Sequence, residues 1–403
     1  MKKLIKENNR LLTIALSFLI YSCGDIFEVI NPGPIIDSAL DEEASGKTVL
    51  IGAISDVEVS ANLFALYAGV ASTDMAADAT RPWVQIPSDG DLNSLNDQVW
   101  APGHLGRWSS EAAVARLQAT QSNASSSALV AGAYLHAGYA NRLLADNVCV
   151  MVIDGGSGSQ ADGHYTRAIE HFNNAITIAK ASGDQTIEKA AIAGRAQCNL
   201  ILGNYSKAAE DAALISDDFL FVANRSSNSG RENNLTWSES HDQKQITIYG
   251  RPMADPAYVD YADPRTPMED VGILAASGTK PFLRQKKYPL NSSNIPLAKG
   301  SEMRLIEAEV MLRDGNIAGC MEKINSVRTA AGVANKTATT TSEAWLALDQ
   351  ERHLVLWLEG RRLKDNVRFN GLSSLSTDFM EGRDVCFPPS LAEIAANKNL
   401  NWP

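Results

Sequence analysis

A short pattern recurs three times in this 403-residue chain: glycine, a polar residue, then tyrosine or isoleucine, with a small side chain three residues later. The copies are Gly163-His164-Tyr165 with Ala168, Gly203-Asn204-Tyr205 with Ala208, and Gly315-Asn316-Ile317 with Cys320. Each begins a second helix that follows an alanine-rich or leucine-rich first helix. Small residues at fixed offsets let paired helices approach closely, so the repetition is typical of TPR-like helical hairpins.

The repeats predict a mainly all-α fold in which TPR-like hairpins form a scaffold that carries long irregular insertions. The expected hairpins span about Ser126 to Ala181, Gln185 to Ile215, and Ser301 to Ala331. An N-terminal helix from about Asp41 to Tyr67 and a final helix from Trp345 to Phe369 would complete the bundle. Because the repeats are interrupted, they do not fit a continuous solenoid.

Two regions lack helical periodicity: about 74–108, which is rich in Asp, Asn, Pro and Gly, and about 217–300, which is rich in Ser, Asn, Asp and Pro. Long irregular insertions in a compact protein are usually functional or disordered, and binding residues concentrate on loops. Aromatic rings in such loops suit sugars, whose C–H faces stack on indole or phenol while their hydroxyls bind polar groups. The candidate ligand-binding residues are Trp83, Gln85, Asp91, Asn93, Trp100, Tyr249 and Tyr258.

The alternative for each of these aromatic residues is that it packs its loop onto the scaffold. For Trp108, which directly precedes an expected helix start at Ser109, we predict this packing role. The same uncertainty between packing and ligand contact applies to Trp83 and Trp100.

Charged residues surround an apolar run, Leu354 to Leu358, near the end of the chain. A helix that is apolar nearly all round is buried, and buried charges need partners. We therefore predict an internal ion-pair network, with a ligand-binding role as the alternative. Its members are Glu351, Arg352, Glu359, Arg361, Arg362, Asp365 and Arg368.

These residues also carry a resemblance. Together with Arg304 to Glu309 and Ile324 to Arg328, they resemble the C-terminal signature of the SusD/RagB family. Phe387-Pro388-Pro389 and the residues after it are similar to that family's closing segment. The chain departs from the family pattern at Asn366 and Phe369, where Leu and Trp are more frequent, and it is shorter than many members.

The N-terminus has the features of a lipoprotein signal peptide. Four basic residues precede a short apolar run, Leu11 to Tyr21, which is followed by Ser22-Cys23. We predict removal of residues 1–22 and lipidation of Cys23, leaving 23–403 as a single SusD-like domain. The alternatives are an uncleaved anchor, or a plain signal peptide with a chance cysteine.

Charge limits the possible partners. The formal net charge is −11, and removal of residues 1–22, which carry +3, would make it −14. A chain this acidic is a poor binder of nucleic acid. The charge also argues against an anionic polysaccharide as ligand, unless a local cluster of arginines intervenes.

The remaining cysteines, Cys149, Cys198, Cys320 and Cys386, are far apart and form no metal-binding motif. We predict buried thiols, with disulfides as the alternative. No catalytic motif or cofactor-binding motif stands out, so we expect no enzyme activity, no cofactor and no metal site.

The resemblance implies a lipid-anchored protein on the outer face of the outer membrane. Such a protein would capture a nutrient, an oligosaccharide or a peptide, and deliver it to a TonB-dependent SusC-like barrel. Two other classes stay open: a surface TPR-type scaffold that binds only proteins, and a glycan hydrolase on a helical framework.

Overall fold

The computed structural model describes residues 37–93, 96–260 and 262–402. The predicted signal peptide and the lipid-anchor residue Cys23 lie outside this part of the chain. The first long helix, α1, runs from Gly46 to Ala71 and is buried over most of its second half. It is long and apolar enough to cross a membrane, but here it is a core helix against which other helices pack.

The three predicted hairpins are confirmed. They consist of α4 (Ala128–Asn147) with α5 (Gly163–Ser182), α6 (Gln185–Ile201) with α7 (Tyr205–Ala213), and α8 (Gly300–Arg313) with α9 (Ile317–Ala330). Gly203 and Gly315 take the left-handed conformation that ends a helix without a Cβ clash. The Asn316 side chain then caps the next helix by accepting a bond from the Gly319 amide, 2.9 Å away.

Close helix approach explains the small residues of the repeats. The ring of Phe172 on α5 is fully buried and lies against Gly138 of α4 and Gly194 of α6. A Cβ atom at Gly194 would come within 2.3 Å of this ring, and one at Gly138 within 2.5 Å. The phenyl group therefore occupies space that only glycine leaves open on both neighbouring helices.

The prediction of an irregular segment over 74–108 is wrong for most of its length. A short helix, α2, spans Pro82–Asp89, and α3 spans Asn96–Thr120 rather than beginning near Ser109. Pro102, Gly103 and Gly106 suggested a loop, but the two glycines are packing positions. A Cβ at Gly106 would lie 3.2 Å from the Asp56 carbonyl oxygen of α1, so glycine permits the two helices to cross closely.

The single final helix predicted from Trp345 to Phe369 is also wrong. Helix α10 spans Thr341–Val355 and begins with a capping box formed by Thr340 and Glu343. After a turn the chain continues as α11 (Arg362–Phe369), and the apolar run Leu354 to Leu358 passes from α10 into this turn. Two further helices follow, α12 (Ser374–Met380) and α13 (Leu391–Ala396).

Four short antiparallel strand pairs lie in the segments between the described helices. They are β1 (Ala76–Ala77) with β5 (Ile246–Thr247), β2 (Val150–Met151) with β3 (Ser159–Gln160), β4 (Leu220–Ala223) with β8 (Ile295–Lys299), and β6 (Met268–Leu274) with β7 (Pro281–Gln285). The 217–300 insertion is thus largely non-helical, as predicted, but strands order it. The strand pair β1 and β5 joins this insertion to the segment after α1.

The prediction of free thiols is wrong for two of the cysteines. Cys149 and Cys386 form a disulfide, with their Cα atoms 5.0 Å apart. Cys198 and Cys320 are free and buried, as predicted. The disulfide geometry is one that sequence spacing does not reveal, because the two positions are brought together only by the fold.

Candidate functional site

The turn between α10 and α11 is the point where scaffold and insertions meet. Leu358 and Gly360 both have positive φ, 61° and 70°. A side chain at Gly360 would be disfavoured for two reasons. Its Cβ would lie 3.1 Å from the Phe64 carbonyl oxygen of α1, and the left-handed backbone conformation would be strained. The sequence Glu359-Gly360-Arg361-Arg362 therefore encodes a tight turn that fits against the core helix.

Residues from the long insertion hold this turn. The Tyr288 hydroxyl donates to the Leu358 carbonyl oxygen over 3.0 Å, and the Lys287 ammonium donates to the Trp357 carbonyl. From the other side, the Leu358 amide donates to the carboxylate of Asp74, 3.0 Å away. Lys299 reaches the Val355 carbonyl at the end of α10. Backbone carbonyls of the turn and of the end of α10 are thus among the points that fasten the 217–300 insertion to the scaffold.

All seven residues of the predicted charge signature take part in salt bridges within the folded chain. Asp365 illustrates the arrangement, because it accepts two bonds from Arg352, at 2.9 and 3.1 Å, and one from Arg368, at 2.7 Å. The other pairs are Glu351 with Arg265 and Arg328, Glu359 with Lys287 and Lys299, Arg361 with Glu302 and Asp146, Arg362 with Asp349, and Arg368 with Glu309. Each charge has an opposite charge beside it.

Burial changes the protonation of groups near the turn. Desolvation raises the pKa of Asp74 to about 7, although the bond from the Leu358 amide opposes this rise. Burial likewise lowers the pKa of His353 well below its usual value. The His353 ring lies between Asp74 and Tyr258. Its Nε2 atom is 3.0 Å from the Asp74 carboxylate, and its Nδ1 atom is 2.8 Å from the Tyr258 hydroxyl.

Two of the predicted ligand-binding aromatic residues are engaged by the protein itself. Trp100 is only 2% exposed and packs in the core, with its ring centroid 4.4 Å from that of His104. The Tyr258 hydroxyl is taken by His353. The structure therefore does not present Trp100 to a ligand, and the polar end of Tyr258 faces inward.

Trp83 remains accessible, with 41% of the residue exposed. The guanidinium of Arg81 lies 5.9 Å from the ring centroid, and Arg81 in turn donates to Glu239 and Gln243, both over 2.8 Å. Within the same helix, the Gln85 side chain accepts from the Ala79 amide and donates to Asp89, which fixes its orientation.

Asp91 and Asn93, two further predicted ligand-binding residues, follow α2 and are exposed. The Asp91 carboxylate accepts a bond from the Asn93 backbone amide over 2.9 Å, which shapes the local turn. The Asn93 side chain lies on the surface of this turn, close in sequence to the exposed face of α2.

Tyr249 is the second accessible aromatic residue among the predicted set, and 45% of it is exposed. It lies two residues after the end of β5 and borders a cavity of about 400 Å³. The cavity combines apolar walls with one carboxylate, and its lining consists of Tyr249, Ala254, Met268, Asp270, Pro281 and Leu283. A cavity of this size and mixed character can hold a small polar ligand.

Asp78 organises this face, and no sequence motif singled it out. Its carboxylate accepts from the amides of Thr279 and Lys280, at 3.1 and 3.0 Å, and from the hydroxyls of Ser277 and Thr279. Burial alone would raise its pKa, but these bonds lower it overall. Asp78 thereby holds the tip of the β6–β7 hairpin against the segment between β1 and α2. Trp83 follows β1 in the chain and Tyr249 follows β5. The two aromatic residues therefore lie on segments that the β1–β5 strand pair joins.

Trp108 departs from its predicted packing role. It is 56% exposed on the outer side of α3, with Leu105 also exposed one turn earlier. The helix begins thirteen residues earlier than expected, so its phase at Trp108 was not apparent from sequence.

Among the described residues no three His, Cys, Asp or Glu side chains gather into a metal site.

Fold and site together define a helical-repeat protein whose inserted segments carry accessible aromatic side chains. Residues 260–397 match the family model described as SusD family. This C-terminal segment is therefore similar to the SusD/RagB family. No curated protein matches the chain.

Solved structures share the fold at low sequence identity. A SusD-like carbohydrate-binding protein from Bacteroides vulgatus is 14% identical, with a TM-score of 0.66 over 89% of this chain and 97% of that one. A SusD-like protein from Bacteroides fragilis is 13% identical, with a TM-score of 0.68 over 91% and 98%. A laminarin-binding SusD-like protein is 16% identical, with a TM-score of 0.65 over 89% and 98%.

Proposed function

We propose that this chain is a cell-surface lipoprotein that binds an oligosaccharide and delivers it to a TonB-dependent SusC-like barrel of the outer membrane. The observation that carries the proposal is the exposure of two aromatic residues, Trp83 and Tyr249, on segments that the β1–β5 strand pair joins. The similarity of residues 260–397 to the SusD family supports the role, and two proteins that share the fold are described as carbohydrate-binding and laminarin-binding.

The chemistry of this face suits a sugar. An exposed indole or phenol ring offers a surface for the C–H face of a pyranose, and the Tyr249 cavity adds the carboxylate of Asp270 as a hydroxyl acceptor. Its volume of about 400 Å³ falls in the range of small-ligand sites. Gln85, in the same helix as Trp83, and Asp91, which follows that helix, are both held by local bonds, so they would lose little conformational entropy on binding a ligand.

The proposed role is capture and transfer, without catalysis. Lipidation of Cys23 would keep the protein at the outer face of the outer membrane. The Cys149–Cys386 disulfide supports export, because structural disulfides persist in oxidising compartments.

Binding is tested by titrating the protein with laminarin oligosaccharides and a panel of other neutral glucans and mannans. Trp83→Ala combined with Tyr249→Ala is expected to weaken binding of the best ligand by roughly tenfold or more, since each lost stacking contact contributes on the order of 1 kcal/mol. Trp108→Ala removes a more exposed tryptophan from a different helix and should leave the affinity unchanged. Equal affinity in the double variant would refute the site.

Transfer is tested by purifying the lipidated protein from outer membranes in mild detergent. A stoichiometric TonB-dependent barrel in the same preparation supports delivery to a transporter. A preparation that contains no barrel would instead favour a stand-alone binder or a protein-interaction scaffold.

A further inference from the structure

A second cavity, of about 430 Å³, lies where the long insertion meets α8 and α9. Its polar lining is almost entirely cationic: Arg265, Lys286, Lys287 and Lys299, with the hydroxyl of Ser301. No Asp or Glu is among the described residues that line it. This concentration of positive charge is unusual in a chain with a net charge of −11.

Two of these lysines share one counter-ion. The ammonium groups of Lys287 and Lys299 both donate to the same oxygen of Glu359, and no second carboxylate among the described residues pairs with either. Both side chains are 15% exposed, so water screens them weakly. Glu359 therefore neutralises only one of the two lysines, and the more distant Asp74, whose own pKa is raised to about 7, offsets only part of the remaining charge. The exposed Lys286 adds a further positive charge.

The lysines also retain hydrogen-bonding capacity. An ammonium group has three N–H donors. Lys287 uses two of them, on Glu359 and on the Trp357 carbonyl, and Lys299 uses two, on Glu359 and on the Val355 carbonyl. Each lysine has one donor left for a group that enters the cavity.

Arg265 has a different part in the cavity. Its guanidinium donates to both oxygens of Asp263 and to Glu351, so it is already neutralised and fixed in place. Arg265 therefore has no pair of free N–H groups for the two parallel bonds by which arginine holds phosphate or a carboxylate. A carboxylate placed between Lys287 and Lys299 can accept the free N–H donor of each and offset the charge that Glu359 leaves on this pair.

The walls of the cavity indicate what carries the carboxylate. Pro264, Pro267, Val327, Ala330 and Val355 supply apolar surface around the cationic floor. Its volume accommodates one sugar ring with its substituents, and such a ring presents an apolar face as well as polar groups.

We infer that this cavity binds the carboxylate of an acidic sugar unit, so that the cargo is an oligosaccharide containing uronic acid. The inference rests on the proposed function in taking the cargo to be an oligosaccharide. The net negative charge of the chain argues against an anionic glycan unless a local cationic cluster is present. This cavity provides such a cluster, with lysines rather than arginines supplying the free charge.

The test is calorimetric titration of the whole protein with glucuronate and with digalacturonate, compared with glucose and cellobiose as uncharged counterparts. We expect binding of the acidic sugars that weakens as salt rises. Lys286→Gln removes an exposed lysine and is expected to lower that affinity about fivefold or more. Lys398→Gln, which removes another exposed lysine outside this cavity, should leave it unchanged.

Lys299→Gln provides a second variant, which keeps Lys287 as the partner of Glu359 and should also weaken binding. No heat from either acidic sugar at millimolar concentration, or equal affinity in both cavity variants, would overturn the inference. Loss of neutral glucan binding in the Trp83 and Tyr249 double variant is measured separately. The proposed function can therefore survive when this inference fails, and acidic sugars that bind only through Trp83 and Tyr249 would count against the cavity.

Discussion

Cys149 and Cys386 are joined by a disulfide although 237 positions separate them in the chain. The backbone reinforces this link, because the Cys149 amide donates to the Phe387 carbonyl oxygen over 2.9 Å and the Phe387 amide donates to Asn147 over 2.8 Å. The closing segment of the chain is thereby fixed to the end of scaffold helix α4.

Removal of this disulfide should destabilise the protein. We expect Cys149→Ser with Cys386→Ser to lower the free energy of unfolding by about 2–5 kcal/mol, because a long closed loop restricts the unfolded chain. Urea denaturation measures the change. Reductant should lower the stability of the natural protein and leave the double variant unaffected, which separates the disulfide from other effects. A thiol titration can be made on unfolded, unreduced protein that begins at Gly24 and therefore lacks Cys23. Four reactive thiols in that titration would contradict the Cys149–Cys386 disulfide.

Glycine substitutions should have opposite effects on stability at a crowded position beside Phe172 and at an open position on α1. Gly194→Ala forces a methyl group into the ring and should destabilise the protein by roughly 1–3 kcal/mol. Gly52→Ala on α1 is the matched control, because nothing lies within 4 Å of its added Cβ and alanine favours a helix by about 1 kcal/mol. Thermal denaturation of both variants checks the sign. Equal behaviour of the two would argue against the close approach of α5 and α6.

Asp365 holds two arginines in a buried position. Asp365→Asn should cost about 3–5 kcal/mol, because Arg352 and Arg368 lose their shared carboxylate where water cannot replace it. Lys180→Gln breaks the exposed contact with Glu188 at 3.8 Å and should change stability little. Chemical denaturation of both variants compares them. A loss below about 1 kcal/mol for Asp365→Asn would mean that the network is not critical to the fold.

Lys287 should make stability depend on pH. Burial lowers its pKa from 10.5 to about 8, which Glu359 and Asp74 oppose and Lys299 favours. Between these two values the unfolded chain holds the proton and the folded chain has released it, so stability rises with pH across this window. Relative to Lys287→Met, the natural protein should gain up to about 3 kcal/mol from pH 8 to 10. A constant difference across this range would show that the pKa is not lowered.

The sequence predicted the helical hairpins because their signals are local. Glycine at a helix end and small residues at fixed offsets act within one hairpin, as at Gly203 and Gly315. It did not predict α3, because the roles of Gly103 and Gly106 depend on other helices. A Cβ at Gly103 would lie 2.9 Å from the Leu144 side chain, a contact that exists only after α3 and α4 have packed.

The site was harder to predict for a related reason. Trp83 and Tyr249 stood out as aromatic residues in polar segments, but burial of Trp100 and exposure of Trp108 depend on the phase of a helix that was not expected. Asp78 has no local motif, because its partners lie about 200 positions later. The same holds for the lysine cavity, whose residues come together from separate segments.

The contacts at the turn between α10 and α11 bear on how freely the inserted segment can vary. Lys287 and Lys299 donate to main-chain carbonyls at the end of α10 and in the turn, as Tyr288 does. A main-chain acceptor is present whatever side chain occupies the position. An insertion of different length and composition can therefore be accommodated if it brings hydrogen-bond donors to this turn. Such interchangeable attachment would let the inserted segment change its surface while the helical framework stays unaltered.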